Sequence, residues 1–224
     1  ESDVETAHAI NHQAVEKLAE IAKQHNTQLI HISTDYVFDG TKYKPYIETD
    51  KVNPQSVYGA SKLKGEFAIQ EIQPNAIIIR TSWVYSEFGQ NFVKTMIRLG
   101  EERDQLSVIF DQIGSPTYAG SLATTIMQLL DNSQDLRGNS NNKVTLYHYS
   151  NEGVCSWYDF AKAIFEMRGI TCQVAPITTE EYPTPAKRPH YSLLNKSKII
   201  QQTGVTIPYW KEALQRCLKR MDRK

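Results

Sequence analysis

The fold is decided by Gln28-Leu29-Ile30-His31-Ile32-Ser33-Thr34-Asp35 and by Tyr58-Gly59-Ala60-Ser61-Lys62, which follows it after a loop. The first stretch has the apolar, β-branched composition of a short buried strand, and Thr34 stands at its carboxyl end. The second stretch lies in a helix that starts near Ser56. A strand that leads into a helix predicts a parallel α/β sheet, and such sheets bind ligands beyond the carboxyl ends of their strands.

Tyr58 and Lys62 are four residues apart and therefore share one face of their helix. A tyrosine titrates near 10, and a neighbouring lysine cation is expected to lower that pKa. A hydrogen bond from Thr34 would tune it further. Such a phenol can pass a proton to a carbonyl oxygen while a hydride moves at carbon. The alternative is a pair of ordinary helix-surface neighbours, which is what most Tyr-x-x-x-Lys pairs are.

Alternation of strands and helices continues along the chain and favours a doubly wound parallel sheet. Ser2 and Glu5 form an expected capping box at the start of the first helix. A polar loop is expected at 132–143, and the prolines between 183 and 189 exclude regular structure there. Helices are predicted over 3–24, 56–72, 90–103, 121–130, 156–167, 196–203 and 209–221, and strands over 28–33, 75–81, 106–110 and 144–149.

Four motifs carry a resemblance to a known family: Ser33–Gly40, Tyr58–Lys62, Arg80–Tyr85 and Gly114–Thr117. Their order and spacing are similar to those of the extended short-chain dehydrogenase/reductase superfamily and, within it, of the dTDP-4-dehydrorhamnose reductase family. The resemblance implies a Rossmann-like doubly wound parallel sheet with a smaller α+β substrate-binding lobe.

The resemblance also implies a division of the chain into two parts. Residues 1–142 are expected to be the C-terminal part of an NAD(P)-binding domain, and 143–224 the substrate-binding lobe, with contributions from 83–105. The sequence has no Gly-rich turn between a strand and a helix, which is the usual pyrophosphate site. We therefore expect the N-terminal strands to be absent from this chain, either because it is part of a longer protein, which we favour, or because the gene product is truncated.

The resemblance assigns the catalytic roles. Tyr58 would protonate the carbonyl oxygen, Lys62 would hold the nicotinamide ribose, and Thr34 would bond the phenol or the substrate oxygen. The cofactor would be NADPH or NADH, and Ser82 is placed to contact its nicotinamide amide. A simpler role for Thr34 is that of a strand-end hydroxyl that satisfies a backbone group.

Four further residues are candidates for binding the nucleotide-sugar substrate. Asp35 resembles a sugar-hydroxyl acceptor, although a loop-capping role is the alternative. Trp83 would stack on the hexose ring or, alternatively, belong to the core. Asn91 resembles a position that meets the nucleotide-sugar, and a helix N-cap is an equal alternative. Arg188 would pair with the substrate diphosphate, or else be a surface arginine.

The composition excludes several classes of partner. The chain has 25 basic and 25 acidic residues, so no overall field favours nucleic acid or an anionic membrane. The apolar runs are too short to cross a bilayer. The three cysteines and six histidines have no metal-ligand spacing, so no metal is expected, and a reduced cytoplasmic protein is the simplest interpretation. One basic cluster, interpreted as the solvated face of the last helix, comprises Lys211, Arg216, Lys219, Arg220, Arg223 and Lys224.

The most specific function implied is the NAD(P)H-dependent reduction of dTDP-4-dehydro-6-deoxy-L-mannose to dTDP-L-rhamnose, for cell-surface polysaccharides. Another extended short-chain nucleotide-sugar epimerase or dehydratase is the first alternative. Dehydratases typically have Asp-Glu after the strand-end Thr, whereas Tyr36 follows Asp35 here. A non-catalytic protein resembling the regulatory subunit of methionine adenosyltransferase is the second alternative. The assembly is compatible with a homodimer.

Overall fold

The main sheet has three parallel strands in the order β1 (Leu29–Thr34), β2 (Ala76–Thr81) and β7 (Val144–His148). The structure is a computed structural model and describes residues 1–131 and 144–222. Thr34 pairs with Thr81, so the carboxyl ends of β1 and β2 lie level with each other. Among the described residues, β2 is the only neighbour of β1 in the sheet.

Helices surround this sheet, and the remaining strands form short pairs. The helices are α1 (Val4–His8, a π-helical turn at Ala9–Gln13, and Ala14–Gln24), α2 (Val57–Ile72), α3 (Phe92–Glu102), α4 (Ala119–Asp131), α5 (Trp157–Arg168), α6 (Ser197–Thr203) and α7 (Trp210–Met221). The strand pairs are β3 (Val84–Tyr85) with β6 (Thr117–Tyr118), β4 (Gln105–Ile109) with β9 (Gln173–Ile177), and β5 (Ile113–Gly114) with β8 (Cys155–Ser156). A 3₁₀ turn at Asp35–Val37 follows β1.

Both faces of the main sheet are covered by apolar side chains from helices. Ile69 of α2 packs with Ile78 on one face, together with residues of α1. Ile77 and Ile79 point the other way and pack against α4 and α6. Because residues of a strand alternate between faces, this is the two-sided burial that a doubly wound sheet requires. The α/β class with a parallel sheet, predicted from the sequence, is confirmed.

Helix α2 is held tightly against α1. A Cβ on Gly65 would come within 2.3 Å of the Asn11 carbonyl oxygen, so only glycine permits this approach. Asn11 lies in the π-helical turn, and its side-chain amide donates to Ser61 Oγ at 3.1 Å. The contact fixes where α2 lies along the sheet.

A second apolar cluster lies outside the main sheet. It is formed by α3, α5, α7 and the strands β3, β4 and β6, with Phe160 and Trp210 near its centre. The division of the chain at residues 142/143 stays a prediction. The strand that follows that boundary, Val144–His148, pairs with β2 of the main sheet.

The predicted long helices and the strands of the main sheet are confirmed to within a few residues at each end. The capping box at Ser2 is wrong: Asp3 is the N-cap, and its carboxylate accepts from the Thr6 amide at 3.0 Å. The sequence does not predict β3, β5, β6 and β8, because each has only two residues and so shows no hydrophobic periodicity. It does not predict β9 either, because that strand contains Pro176. The predicted loop at 132–143 falls outside the described residues. None of the described helices has the length and apolarity needed to cross a membrane.

Candidate active site

The carboxyl end of β1 presents a buried hydroxyl and a buried carboxylate. Thr34 and Asp35 are 5% and 2% exposed. Thr34 Oγ1 accepts from the Tyr36 amide at 3.2 Å, which caps the 3₁₀ turn, and lies 3.1 Å from Asp35 Oδ1. The Thr34 hydroxyl therefore satisfies a backbone amide, which is the alternative role expected for it. The chain turns sharply just after β1 ends.

Helix α2 begins close to this turn. Ser56 is its N-cap, and its hydroxyl accepts from the Gly59 amide at 3.1 Å. A Cβ on Gly59 would lie 2.3 Å from the Tyr36 carbonyl oxygen, so the first turn of α2 packs directly on the turn after β1. This approach places Tyr58 beside the end of the strand.

Tyr58 lies at the edge of the site with 45% of its surface exposed. Desolvation of the phenol raises the pKa of Tyr58 above its usual value, a hydrogen bond with the Thr34 hydroxyl lowers it, and the Asp35 charge raises it again. The Tyr36 ring meets the Tyr58 ring edge-on, with centroids 5.8 Å apart. The phenol is therefore protonated at neutral pH.

Lys62, one turn further along α2, is directed at the main chain of β1. Its ammonium donates to the Ile32 carbonyl oxygen at 2.5 Å and lies 3.4 Å from His31 Nε2. Burial, and then the Lys62 charge, lowers the pKa of His31 to about 4, so the imidazole is neutral. The pKa of Tyr58 lies above its usual value with desolvation as the largest cause, and Lys62 is not among the groups that shift it, so the predicted lowering by Lys62 is not observed.

A buried ion pair that was not predicted lies beneath Lys62. Glu66 of α2 and Arg80 of β2 are 0% and 3% exposed and are joined at 2.7 Å and 3.0 Å. Ser33 donates a further short hydrogen bond to Glu66. The guanidinium also lies over the Phe38 ring, 5.1 Å from its centroid. The group links α2 to both strands. The sequence places Glu66 one turn after Lys62, but no local pattern links it to Arg80.

Asp35 combines complete burial with an incompletely satisfied carboxylate. Burial raises its pKa to about 6, while the hydroxyls of Ser192 and Thr34 lower it. Its Oδ2 has no hydrogen-bond partner of ordinary geometry among the described residues. A buried acceptor that lacks a donor is unfavourable by itself, so this oxygen is suited to a hydroxyl supplied by a ligand.

Ser82 and Trp83 follow β2, whose end is level with that of β1. Ser82 is buried and donates to the Ser115 carbonyl oxygen at 2.7 Å, so its lone pairs stay available as acceptors. Trp83 is half-buried and has a φ of +50°, which a non-glycine residue rarely adopts. Its ring stacks on Trp157 with centroids 3.8 Å apart and packs against Gly114. One indole face is therefore occupied within the protein.

Asn91 and Arg188, the two remaining predicted site residues, have different surroundings. Asn91 caps α3 by accepting from the Lys94 amide at 3.3 Å, and its amide donates to the Ser86 carbonyl at 2.7 Å. The N-cap alternative is thus observed, and a nucleotide-sugar role stays a prediction. Arg188 is half-buried, and its charge lowers the pKa of Tyr36, which burial and the Asp35 charge raise to about 12.

The structure thus gathers Thr34, Asp35 and Tyr58 at one point, with Lys62 one turn behind. Arg188 is close enough to Tyr36 for its charge to lower the pKa of that phenol, and Tyr36, a residue of the Ser33–Gly40 motif, was given no role. Within residues 1–131 and 144–222, no cluster of His, Cys, Asp or Glu is suited to holding a metal ion. The chemistry on offer is proton donation by a phenol, next to a cation and a carboxylate.

Comparison with known proteins gives consistent matches. Residues 1–223 match the family model described as the RmlD substrate binding domain. The dTDP-4-dehydrorhamnose reductase of Sinorhizobium fredii is 45% identical, over 96% of this chain and 74% of the relative. That of Escherichia coli K12 is 41% identical, over 99% of this chain and 75% of the relative.

Solved structures agree with these matches. A dTDP-4-dehydrorhamnose reductase from Clostridium acetobutylicum superposes with a TM-score of 0.92 at 41% identity, covering 99% of this chain and 76% of that one. The enzyme from Bacillus anthracis, solved in complex with NADP, gives 0.89 at 39% identity, covering 98% and 75%. A dTDP-glucose 4,6-dehydratase from Bacillus anthracis is 15% identical with a TM-score of 0.79, over 97% of this chain and 69% of that one, and shares the fold alone.

Proposed function

Because this chain belongs to the RmlD substrate binding domain family, we propose that it acts in the NADPH-dependent reduction of dTDP-4-dehydro-6-deoxy-L-mannose to dTDP-L-rhamnose. It is an oxidoreductase of nucleotide-sugar biosynthesis. The observation that best supports a catalytic site in this chain is the position of the Tyr58 phenol, beside the Thr34 hydroxyl at the carboxyl end of β1.

Reduction of a ketone requires a proton at the oxygen while hydride adds to the carbon. When bound, NADPH supplies the hydride. We assign the proton donation to Tyr58, whose raised pKa keeps it protonated before each turnover. The Thr34 hydroxyl acts on the phenol from the end of β1 and lowers its pKa against the effect of burial. As negative charge develops on the substrate oxygen, the phenol proton moves to that oxygen, and solvent then reprotonates the half-exposed tyrosine.

Lys62 and Ser82 fit the nicotinamide end of the cofactor. The two groups closest to the Lys62 ammonium, the Ile32 carbonyl and the His31 ring, are neutral, and no carboxylate lies within 4 Å of it among the described residues. Its charge is therefore available to ribose hydroxyls. The Ser82 oxygen, buried at the end of β2, is left to accept from a carboxamide.

We assign residues to parts of the sugar nucleotide by the chemical groups that they present. The unpaired Asp35 Oδ2 accepts from a sugar hydroxyl, and Trp83 borders the hexose. Arg188 has no ion pair among the described residues and is left to meet the diphosphate. Asn91 contributes by fixing the start of α3, since its amide is already bonded within the protein.

Dehydration and epimerisation are less well supported. Tyr36 occupies the position after Asp35, where dehydratases typically have Glu, so that position carries no carboxylate for water elimination. Four epimerases and dehydratases that superpose on this chain are 14–18% identical and inform on the fold alone. A regulatory, non-catalytic role would not require Thr34, Tyr58 and Lys62 together.

The test is product analysis with the full-length protein. Incubation with dTDP-4-dehydro-6-deoxy-L-mannose and NADPH is expected to consume one NADPH for each dTDP-L-rhamnose, identified by its proton NMR spectrum. Consumption without that product would indicate a different sugar chemistry. No consumption by a protein that binds NADPH would refute the reductase assignment.

We also propose a cytoplasmic location and a homodimer. The first is supported by three buried cysteines that form no disulfide, as expected in a reducing compartment. The homodimer is tested by light scattering on the purified full-length protein. A single species with the mass of one chain would exclude it.

A further inference from the structure

A second concave site lies at the far end of the last helix. A pocket of about 390 Å³ opens between the start of α4 and the last two turns of α7. Arg216, Lys219 and Arg220 line one side of it. The pocket shares none of its lining residues with the site around Tyr58, and the proposed reaction gives it no task.

The positive charge in this pocket is only partly neutralised. Arg220 pairs with Glu87 at 3.4 Å. Arg216 and Lys219 form no ion pair with any residue that the structure describes, and none of the residues lining the pocket is acidic. Cations at the C-terminal end of a helix interact favourably with the helix dipole, but that interaction alone does not require them to line a cavity.

Backbone amides at the start of α4 lie beside the same pocket. Gly120 and Ser121 of its first turn line the pocket, as does Thr124, whose hydroxyl already donates to the Gly120 carbonyl oxygen at 3.0 Å. Amide groups in the first turn of a helix have no partner within the helix and favour negative charge. The positive side chains of α7 and the first turn of α4 therefore border the same pocket.

One buried group at the base of the pocket lacks a regular partner. Tyr149 is 0% exposed and lines the pocket, and its hydroxyl makes no hydrogen bond of ordinary geometry with the described residues. Burial raises the pKa of this phenol, and the Thr125 hydroxyl lowers it. Buried hydroxyls without partners are uncommon in native proteins, so the group is suited to a ligand oxygen.

We propose that this pocket binds a phosphate-bearing anion, held by Arg216 and Lys219 against the first turn of α4, with Tyr149 contributing a hydrogen bond. A phosphoryl group has several strong acceptor oxygens, which match two cations, backbone amides and hydroxyls at once. The volume accommodates a diphosphate.

The test is calorimetric titration of inorganic diphosphate into the full-length protein at low ionic strength. We expect Arg216→Ala combined with Lys219→Ala to weaken binding by roughly tenfold or more, because charge-assisted bonds are lost. Tyr149→Phe should weaken it by a smaller factor. Lys211→Ala is the matched control, since Lys211 is an exposed cation on the same helix that does not line the pocket. Inorganic phosphate in a parallel titration reports whether one phosphoryl group suffices.

Arg188→Ala separates this pocket from the proposed nucleotide-sugar site. Loss of diphosphate binding in Arg188→Ala, with full binding in the Arg216/Lys219 double variant, would refute the proposal. So would equal weakening by Lys211→Ala, which would indicate an adventitious ion only. Because all three substituted cations on α7 are exposed, circular dichroism is expected to show an unchanged fold. The result is independent of whether the protein reduces dTDP-4-dehydro-6-deoxy-L-mannose.

Discussion

Gly59 and the carbonyl oxygen of Tyr36 are in such close contact that a Cβ on Gly59 would lie 2.3 Å from that oxygen. The contact joins the first turn of α2 to the turn after β1. Tyr58 precedes Gly59, and Thr34 precedes that turn, so the distance between Tyr58, the proposed proton donor, and the Thr34 hydroxyl depends on this contact. A small shift of α2 would separate them.

Gly59→Ala is therefore expected to lower kcat by a factor of ten or more and to lower the free energy of unfolding by about 1–3 kcal/mol. The added methyl group meets backbone, which cannot move aside as a flexible side chain would. Steady-state kinetics and urea denaturation of the full-length protein measure the two effects.

Gly65→Ala is the matched control for that prediction. A Cβ there would also come within 2.3 Å of a carbonyl oxygen, that of Asn11, but on the side of α1. It should destabilise the protein to a similar degree and affect kcat far less. Equal losses of kcat in the two variants would mean that the Gly59 contact has no special role in placing Tyr58.

Tyr58→Phe is expected to reduce kcat by about 10²–10⁴-fold, the usual contribution of general acid catalysis. The KM for the sugar nucleotide should stay nearly constant, because only one hydroxyl is removed. Tyr43→Phe provides the control, since Tyr43 is 85% exposed and outside the site. A Tyr58→Phe enzyme within threefold of wild type would disprove the assignment of the proton donor.

The sequence predicted the main sheet and its long helices because each has a clear apolar pattern and a recognisable start or end. The helix predicted over 156–167, for example, is observed as α5, and the Ser156 hydroxyl caps it by accepting from the Asp159 amide at 3.0 Å. The cap of α1 was wrong by one residue, since Ser2 and Asp3 are both good N-caps and only the observed geometry distinguishes them.

The candidate site was predictable only in part. Spacing places Tyr58 and Lys62 on one helix face, but it does not say which way the Lys62 chain points. The ammonium reaches the Ile32 carbonyl, so the expected effect of Lys62 on Tyr58 is not observed. The pairing of Glu66 with Arg80 joins residues of different elements, and no local pattern in one sequence reports it.

Asp35 should make catalysis depend on pH near 6. Its pKa is raised to about 6 by burial, so the carboxylate that accepts from the sugar is protonated below that pH. We expect kcat/KM to fall as the pH decreases through 6. In Asp35→Asn this acidic limb should disappear, with a lower kcat/KM at pH 7.5. An unchanged acidic limb in the variant would show that another group titrates.

Stability gives a second measurement of the same group, with the opposite trend. Because the pKa of Asp35 is higher in the folded than in the unfolded protein, its contribution to stability is present at low pH and is lost as the pH rises through about 6. Asp35→Asn cannot ionise and should have a higher Tm than wild type at pH 7.5. The difference should shrink towards pH 4.5.

The ion pair between Glu66 and Arg80 should be strongly required for stability. Glu66→Gln leaves a buried guanidinium without its counter-charge, which typically lowers the free energy of unfolding by about 3–5 kcal/mol. Glu102→Gln is the control, because its partner Arg98 is exposed and such pairs contribute at most about 1 kcal/mol. Urea denaturation compares the two. A loss no greater than that of the control would mean that the pair is dispensable.

Trp83 is expected to act on substrate binding. Its backbone has a φ of +50°, which is unfavourable for a non-glycine residue, and its ring stacks on Trp157. We predict that Trp83→Ala raises the KM for the sugar nucleotide and changes kcat less, because the indole positions the ring and transfers no proton. Trp157→Phe keeps an aromatic partner for Trp83 and should have the smaller effect. If Trp83→Ala instead lowers kcat at unchanged KM, the indole does not bind the sugar, and its role is to support the end of β2.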